Sequence, residues 1–163
     1  MGTKEEIERK FLVEEVPDLK GLPFYNIRQG YLDHKRLRRR SGDSKVEYFL
    51  TVKKGRGMIR KEEEREITRR EFYQYWKETE GRRLKKRRYL IKSGRHTIEL
   101  DIFGGALKGL VLVEVEFKTA TAARHFIPPI WFGAEVTDDL DYTNRNLATY
   151  GLKFLRKENL RAA

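Results

Sequence analysis

The chain has 163 residues, with 36 Lys or Arg against 25 Asp or Glu, for a formal net charge of +11. Hydrophobic residues make up 39% and charged residues 37%, so a core can form but charge is far above the usual quarter, and an anionic partner is expected. The lack of Cys excludes a disulfide scaffold, a thiolate metal site and a Cys nucleophile, and the polar start and the lack of an apolar run of roughly 18 residues point to a cytoplasmic protein with no membrane partner.

Alternation dominates the chain. Residues 5–13 predict a strand whose charges, Glu6, Glu8 and Lys10, recur at period two and so share a face. A loop with Pro17, Gly21 and Pro23 follows. Strands are predicted over 26–32 and 35–40, joined by a turn at Asp33-His34. Ser41 to Ser44 is a hairpin signal leading into a strand over 46–53, and Lys54 to Gly57 turns the chain into 59–67. Thr68 with Glu71 three residues on is a capping box, opening a helix over 70–80 that Gly81 ends. A hairpin over 84–92 and 95–103 comes next, then a loop, Gly104 to Gly109, without Walker spacing. Residues 110–118 form the eighth predicted strand. A short helix runs from Thr119 to Phe126, stopped by Pro128-Pro129, and residues 143–150 form the last helix. With no repeat and no linker, one domain is expected over 1–163, with a core of about 5–150 and a basic tail over 151–163. Mostly short connections predict antiparallel pairing.

One face of these strands collects Glu6, Glu8 and Lys10; Arg36, Arg38 and Arg40; Lys53; Glu62, Glu64 and Glu66; Lys86 and Arg88; Glu99 and Asp101; and Glu114 and Glu116. The opposite face is apolar in three strands and mixed elsewhere, where Arg9, Arg39, Glu63 and Arg65 lie on it. A solvated charged face would explain the alternation alone. Yet the charges are sorted into acidic and basic strands, where a surface kept soluble mixes signs. An eight-strand antiparallel set can also close into a barrel, so that one face of every strand lines a lumen. A charged lumen needs its like charges matched. Grouped acids suit a hard cation and grouped bases suit phosphate oxygens.

Ordered motifs run along the chain. They are Glu6-Ile7-Glu8-Arg9-Lys10 (ExExK), Gln29-Gly30-Tyr31-Leu32, Arg36-Leu37-Arg38, Leu50-Thr51-Val52-Lys53, Arg60 to Ile67 (RxExExEI), Lys86-Arg87-Arg88-Tyr89, Glu99 to Phe103 (ExDxF) and Glu114-Val115-Glu116. Glu135-Val136-Thr137 and Tyr142-Thr143-Asn144, with Leu147-Ala148, form a closing segment. Over roughly residues 5–148 the chain resembles the CYTH superfamily, the triphosphate tunnel metalloenzymes, and most of all its short bacterial inorganic tripolyphosphatases. The resemblance implies a mainly β fold: a closed eight-stranded antiparallel β-barrel with a polar, charged lumen and a few helices packed outside. It also implies a Mg²⁺ or Mn²⁺ cofactor and a triphosphate substrate. Asp141 departs from it, since a basic residue is expected before Tyr142.

Spacing and resemblance together point to Glu6, Glu8, Glu114 and Glu116 as metal ligands, since carboxylates two residues apart on a strand face one side. Lys10, Arg36, Arg38, Lys53, Lys86 and Arg88 are the substrate-binding candidates, Arg offering a fork and Lys a point charge. Arg40 shares their face nearer a turn. Glu62, Glu64, Glu99 and Asp101 are expected to hold these cations in place or to act as secondary metal ligands, and Glu66 to be structural. Glu6, Glu8, Lys10 and Glu116 form the expected catalytic set. The expected reaction is hydrolysis of inorganic tripolyphosphate to pyrophosphate and phosphate, by metal-activated water with Lys and Arg clamping the phosphates.

Three alternatives stay open. A class IV-type adenylate cyclase would need an adenine pocket, for which no obvious candidate exists. A thiamine or nucleoside triphosphatase would share the phosphate chemistry. A non-catalytic polyphosphate or RNA binder would use the +11 charge, although no RRM-type aromatic motif is present, so nucleic acid is not the expected partner. A homodimer also stays open. His34, His96 and His125 have no ligand spacing, and Trp131 reads as core.

Overall fold

A computed structural model describes residues 3–153 and 155. The basic tail expected over 151–163 therefore lies outside the described residues, apart from 151–153 and 155. The strands are β1 (Lys4–Val13), β2 (Phe24–Leu32), β3 (Lys35–Gly42), β4 (Lys45–Lys54), β5 (Ile59–Glu66), β6 (Arg83–Ser93), β7 (His96–Phe103), β8 (Val111–Phe117) and β9 (Phe132–Glu135). The helices are α1 (Arg69–Trp76), α2 (Ala120–His125) and α3 (Asn144–Tyr150).

The strand order is β5-β4-β3-β2-β6-β7-β8-β1-β9, and β5 also pairs with β1. Lys4–Ile7 of β1 pair with β5, while Ile7–Leu12 pair with β8. This double pairing of one strand closes the eight-stranded antiparallel barrel and removes its edges. β9 lies against the last residues of β1, pairing Phe11 with Glu135 and Val13 with Phe132. It was not predicted, because four residues are too few to show a period.

Local signals act where the sequence places them. The hairpin between β3 and β4 turns at Asp43 and Ser44, both left-handed at φ 46° and 66°. The capping box of α1 is complete: Glu71 N–H donates to Thr68 Oγ1 at 3.1 Å and Thr68 N–H to Glu71 Oε2 at 3.0 Å. α1 is shorter than the predicted 70–80, because its last turn tightens into a 3-10 helix over Lys77–Thr79.

The apolar face points outward and is covered. Phe11, Ile98, Leu100, Val113 and Val115 pack beneath Ala123 of α2, Phe126 and Phe132. On the far side, Phe72 of α1 and Trp76 cover Leu37, Tyr48 and Leu50. Gly30 allows this close approach: a Cβ there would sit 2.7 Å from Thr79 Cβ. Each fully buried side chain of this size contributes roughly 1.5–3 kcal/mol. These outer layers therefore hold the barrel while its inner wall is polar.

One end of the inner wall differs from expectation. Leu12, Leu84, Phe103 and Leu112 continue the periods of Lys10, Lys86, Asp101 and Glu114 and so face inward. They pack with Val136, Tyr142 and Leu147 of α3. The bore is therefore charged along most of its length and stoppered at one end by an apolar layer. Among the described residues, no helix is long and apolar enough to cross a membrane.

A charged bore as the candidate active site

Alternation turns Glu6, Glu8 and Lys10 of β1 into the barrel, where all three are buried. Burial forces each charge to find a counter-charge. Lys53 Nζ lies 2.9 Å from Glu6 Oε2 and 3.7 Å from Glu62. Arg60 Nη2 donates to Glu8 Oε1 at 2.6 Å and lies 3.7 Å from Glu6. Lys10 Nζ sits 3.5 Å from Glu114 and donates to the Tyr142 carbonyl at 3.1 Å. Burial pushes the Glu8 carboxyl above its usual range, and neighbouring Glu114 and Glu6 add to the shift. Burial would lower the Arg60 guanidinium, but Glu8 and Glu6 outweigh it and raise it.

Across the bore, β6 and β7 build a tighter cluster. Asp101 accepts from Lys86 Nζ at 2.7 Å and from Arg88 Nε and Nη2 at 2.7 and 2.8 Å. Glu99 pairs with the same guanidinium, and Glu114 lies 3.4 Å from it. Burial would raise Asp101, but Arg88 and Lys86 overcome it and hold the carboxyl below its usual range. Lys10, Arg88 and Lys86 do the same for Glu114. Glu99 goes up through burial, against the pull of Arg88. Burial pulls the Lys86 ammonium down to about 7, with Asp101 opposing it.

A third group comes from β2 to β5. Arg36 Nη2 lies 3.2 Å from Thr51 Oγ1 and 3.3 Å from Glu64, to which Thr51 donates at 2.7 Å. Arg38 Nε donates to Gln29 Oε1 at 3.2 Å, and Gln29 Nε2 to the Tyr31 hydroxyl at 2.9 Å. Burial, with Arg36 and Arg88 nearby, lowers the Arg38 guanidinium to about 10. Arg40 is fixed by Glu47 at 2.6 Å between the Tyr25 and Phe49 rings, near one mouth.

The predicted residues divide by place. Lys10, Arg36 and Lys53 line a cavity of about 260 Å³, with Tyr31, Thr51 and Arg60, beneath residues 140–146. Glu8 and Lys10 line a smaller hollow of about 50 Å³ beside it. Lys86, Arg88, Glu99 and Asp101 are locked into the opposite wall. Glu116 is Glu8's partner across β1 and β8, but its side chain is 42% exposed and paired with Lys4. Glu66 is exposed at the end of β5. Asp141 is exposed in a 3-10 turn and bonded to Asp139, outside the bore's ion pairs.

The acidic side of the bore has the chemical type of donor that a hard cation takes. Glu6 Oε2 is buried and is met only by the ammonium of Lys53 at 2.9 Å and more loosely by Arg60, without an aligned hydrogen bond among the described residues. Glu8 is close enough to Glu114 and Glu6 to be repelled by both. Arg60 and Lys53 supply the balancing charge, and among the described residues no three carboxylate or imidazole side chains stand together as a set that could hold a metal ion. Arg36 Nε and Arg60 Nε are buried donors without a hydrogen bond among the described residues, on residues that line the cavity of about 260 Å³ in the bore. Carboxylates of this kind suit a divalent ion, and donors of this kind suit an oxyanion.

Sequence reasoning passed over Arg60, Gln29, Tyr31, Thr51 and Asn144 as site residues. Arg60 lies one period before Glu62 and was legible by extending that alternation. Tyr31 and Gln29 share a period in a strand without charge on that face. Asn144 Oδ1 accepts from Lys86 at 3.1 Å, a contact 58 residues apart in the chain. Two histidines behave as core or surface groups: His96 packs edge-on against Phe117, and His125 contacts the Thr121 carbonyl. His34, by contrast, borders the cavity of about 260 Å³ in the bore.

No protein-family model matches the chain. It is 48% identical over 150 residues to an inorganic triphosphatase of Nitrosomonas europaea, covering 88% of this chain and 96% of the relative. It is 37% identical over 152 residues to an inorganic triphosphatase of Acetivibrio thermocellus, covering 87% and 92%. A crystal structure of an inorganic triphosphatase aligns with a TM-score of 0.64 at 46% identity, covering 88% of this chain and 94% of that one. Extensive identity, the closed barrel and its ionic bore agree: the chain belongs to the inorganic triphosphatases of the CYTH superfamily, the triphosphate tunnel metalloenzymes.

Proposed function

We propose that the chain hydrolyses inorganic tripolyphosphate to pyrophosphate and phosphate inside the bore, with a divalent cation, Mg²⁺ or Mn²⁺. The observation that carries this reading is the sorting of charge around one cavity: Glu6, Glu8 and Glu114 beside Lys10, Lys53, Arg36 and Arg60. The names of the two relatives support the substrate.

Glu6, Glu8, Glu114 and Glu116 would hold the cation, Glu116 by turning from Lys4 at the rim. Such a cation, when bound, neutralises phosphate oxygens and makes water a better nucleophile near neutral pH. Lys10, Arg36, Lys53 and Arg60 face the cavity and take phosphate oxygens, exchanging a carboxylate partner for a phosphate one. Arg38 adds a fork whose angle is set by Gln29. Asp101 and Glu99 hold Lys86 and Arg88 at fixed positions on the far wall, so little reorganisation is left for the reaction. An adenine ring needs an apolar slot, and the cavity lining is mainly Lys, Arg, Thr and Asn, so cyclisation of ATP is not favoured.

A phosphate-release panel tests this reading. Tripolyphosphate, ATP, thiamine triphosphate and pyrophosphate are each incubated with Mg²⁺, Mn²⁺ or a chelator, and products are identified. Tripolyphosphate is expected to be the best substrate, with turnover lost in chelator. Cyclic AMP and pyrophosphate from ATP, or turnover indifferent to the chelator, would overturn it.

A further inference from the structure

The outer wall of β3, β2 and β6 carries a second concentration of positive charge. Arg28 pairs directly with Arg39 on one side and with Lys85 on the other, and Asn26 pairs with Arg87. Their neighbours Gln29, Arg38, Lys86 and Arg88 point into the bore, so Arg28, Arg39, Lys85 and Arg87 point out. None of the outward positions on these three strands is Asp or Glu. Like charges directly opposite one another on a sheet are destabilising. Some exposed cations elsewhere, Lys4, Lys45 and Arg65, each pair with a carboxylate, and what sets the outer wall apart is that its cations stand opposite one another. Among the described residues, Arg87 has only neutral partners, Asn26 and the Phe24 ring.

These side chains line a groove of about 450 Å³, walled on one side by Gly104. It runs on past Arg28, Lys85 and Gly104 into a second hollow of about 270 Å³ beside Arg83 and Trp76. A Cβ at Gly105 would lie 3.2 Å from Lys85 Cε, so the bare glycine loop leaves room for the Lys85 stem. From Arg83 to Arg87 the row extends about 13 Å along β6. A single phosphate would occupy only part of it. An extended polyanion would match its length.

The rings beside the groove select the kind of polyanion. Single-stranded nucleic acid binds by stacking bases on open aromatic faces. Phe24 is covered by Arg87 at 4.6 Å and packs against Tyr89 at 5.4 Å. Trp76 is covered by Arg83 at 4.5 Å and stacked on Phe72 at 5.0 Å. Trp76 is therefore covered on both sides, and Phe24, though 40% exposed, already carries a guanidinium over its ring where a base would stack. The groove thus recognises backbone charge alone.

We propose that this outer groove is a second anion site, which holds linear inorganic polyphosphate chains longer than the tripolyphosphate of the bore. The site does not depend on what the bore does, because its cations Arg28, Arg39, Lys85 and Arg87 alternate with the inward residues and point away from the lumen, although Lys86 and Phe103 also border the groove.

Fluorescence anisotropy of end-labelled inorganic polyphosphate, tens of units long, tests the proposal. The full chain is titrated in chelator at fixed salt, with saturating tripolyphosphate present to fill the bore. Binding is expected to persist. The triple variant Arg28→Gln/Lys85→Gln/Arg87→Gln should weaken it about tenfold or more and lower the salt slope by about 2. Its turnover of tripolyphosphate should stay within about twofold of the unsubstituted protein, which also verifies folding. A charge-matched variant elsewhere, Lys20→Gln/Lys77→Gln/Lys118→Gln, should leave binding within about twofold. Equal losses in both variants would reduce the effect to net charge and overturn the site. So would complete displacement by tripolyphosphate, which would place the chain in the bore. An RNA homopolymer of matched charge that binds as tightly and responds to the same variant would overturn the ligand class.

Discussion

On β6 the inward Lys86 and Arg88 share one carboxylate, Asp101, at 2.7 Å, whereas the outward Lys85 and Arg87 face Arg28 and Asn26 and have no acidic partner on their wall. The strand is the same and the residue types are the same. Only the solvent differs. Inside the barrel an unpaired charge costs several kcal/mol, so the fold supplies a partner for nearly every one. Outside, water and salt screen neighbours, and like charges can stand side by side. Pairing by itself therefore reports where charge is expensive. Function is better marked by unmet donors and by like charges set side by side: Arg36 Nε and Arg60 Nε within the bore, and the row of outward cations facing one another on β3, β2 and β6.

The largest expected effect breaks the inner half of this comparison. Asp101→Asn leaves Lys86 and Arg88 without their common counter-charge and should destabilise the fold by about 3–5 kcal/mol in urea titration. Arg87→Gln on the outer wall should change stability by about 0.5 kcal/mol or less. Similar values for the two would erase the distinction. Arg38→Ala, next in size, removes a buried fork and should raise the KM for tripolyphosphate about 10- to 100-fold, with Arg38→Lys recovering only part. Full recovery with Lys would rule out a bidentate contact.

The next effect is a dependence on pH. Lys86 titrates at about 7 in the folded chain against 10.5 in its ordinary state. Between those values the unfolded chain binds more protons, so this group's contribution to stability rises with pH. Relative to Lys86→Met, the unsubstituted protein should gain about 1 kcal/mol per pH unit across that window. Parallel stability curves for the two proteins would contradict the burial account. The smallest effect sharpens the outer half: Arg28→Gln relieves two like-charge pairs and should stabilise the fold by about 0.2–1 kcal/mol, a gain that shrinks in high salt.

Period-two alternation made all eight barrel strands and the inward face legible, because strand geometry forces successive side chains apart whatever the tertiary context. The stopper of the bore was not legible in the same way. Leu12, Leu84, Phe103 and Leu112 stand on the charged period and look like breaks in it until α3 and Tyr142 are brought over them. That meeting joins residues over 100 positions apart, as in the bond from Lys10 to the Tyr142 carbonyl. The pairing of Glu8 with Arg60 depends likewise on the register that closes β1 on β5. Which residues share the bore could thus be read from spacing. Which of them touch could not.

Phosphate release from tripolyphosphate by Glu8→Gln, at saturating divalent cation, tests most directly whether the buried carboxylates of the bore serve a cation. The account predicts a loss of about 100-fold or more in turnover, with the folded state intact by thermal melting. Turnover within about twofold of the unsubstituted protein would remove Glu8 from the site and contradict the account.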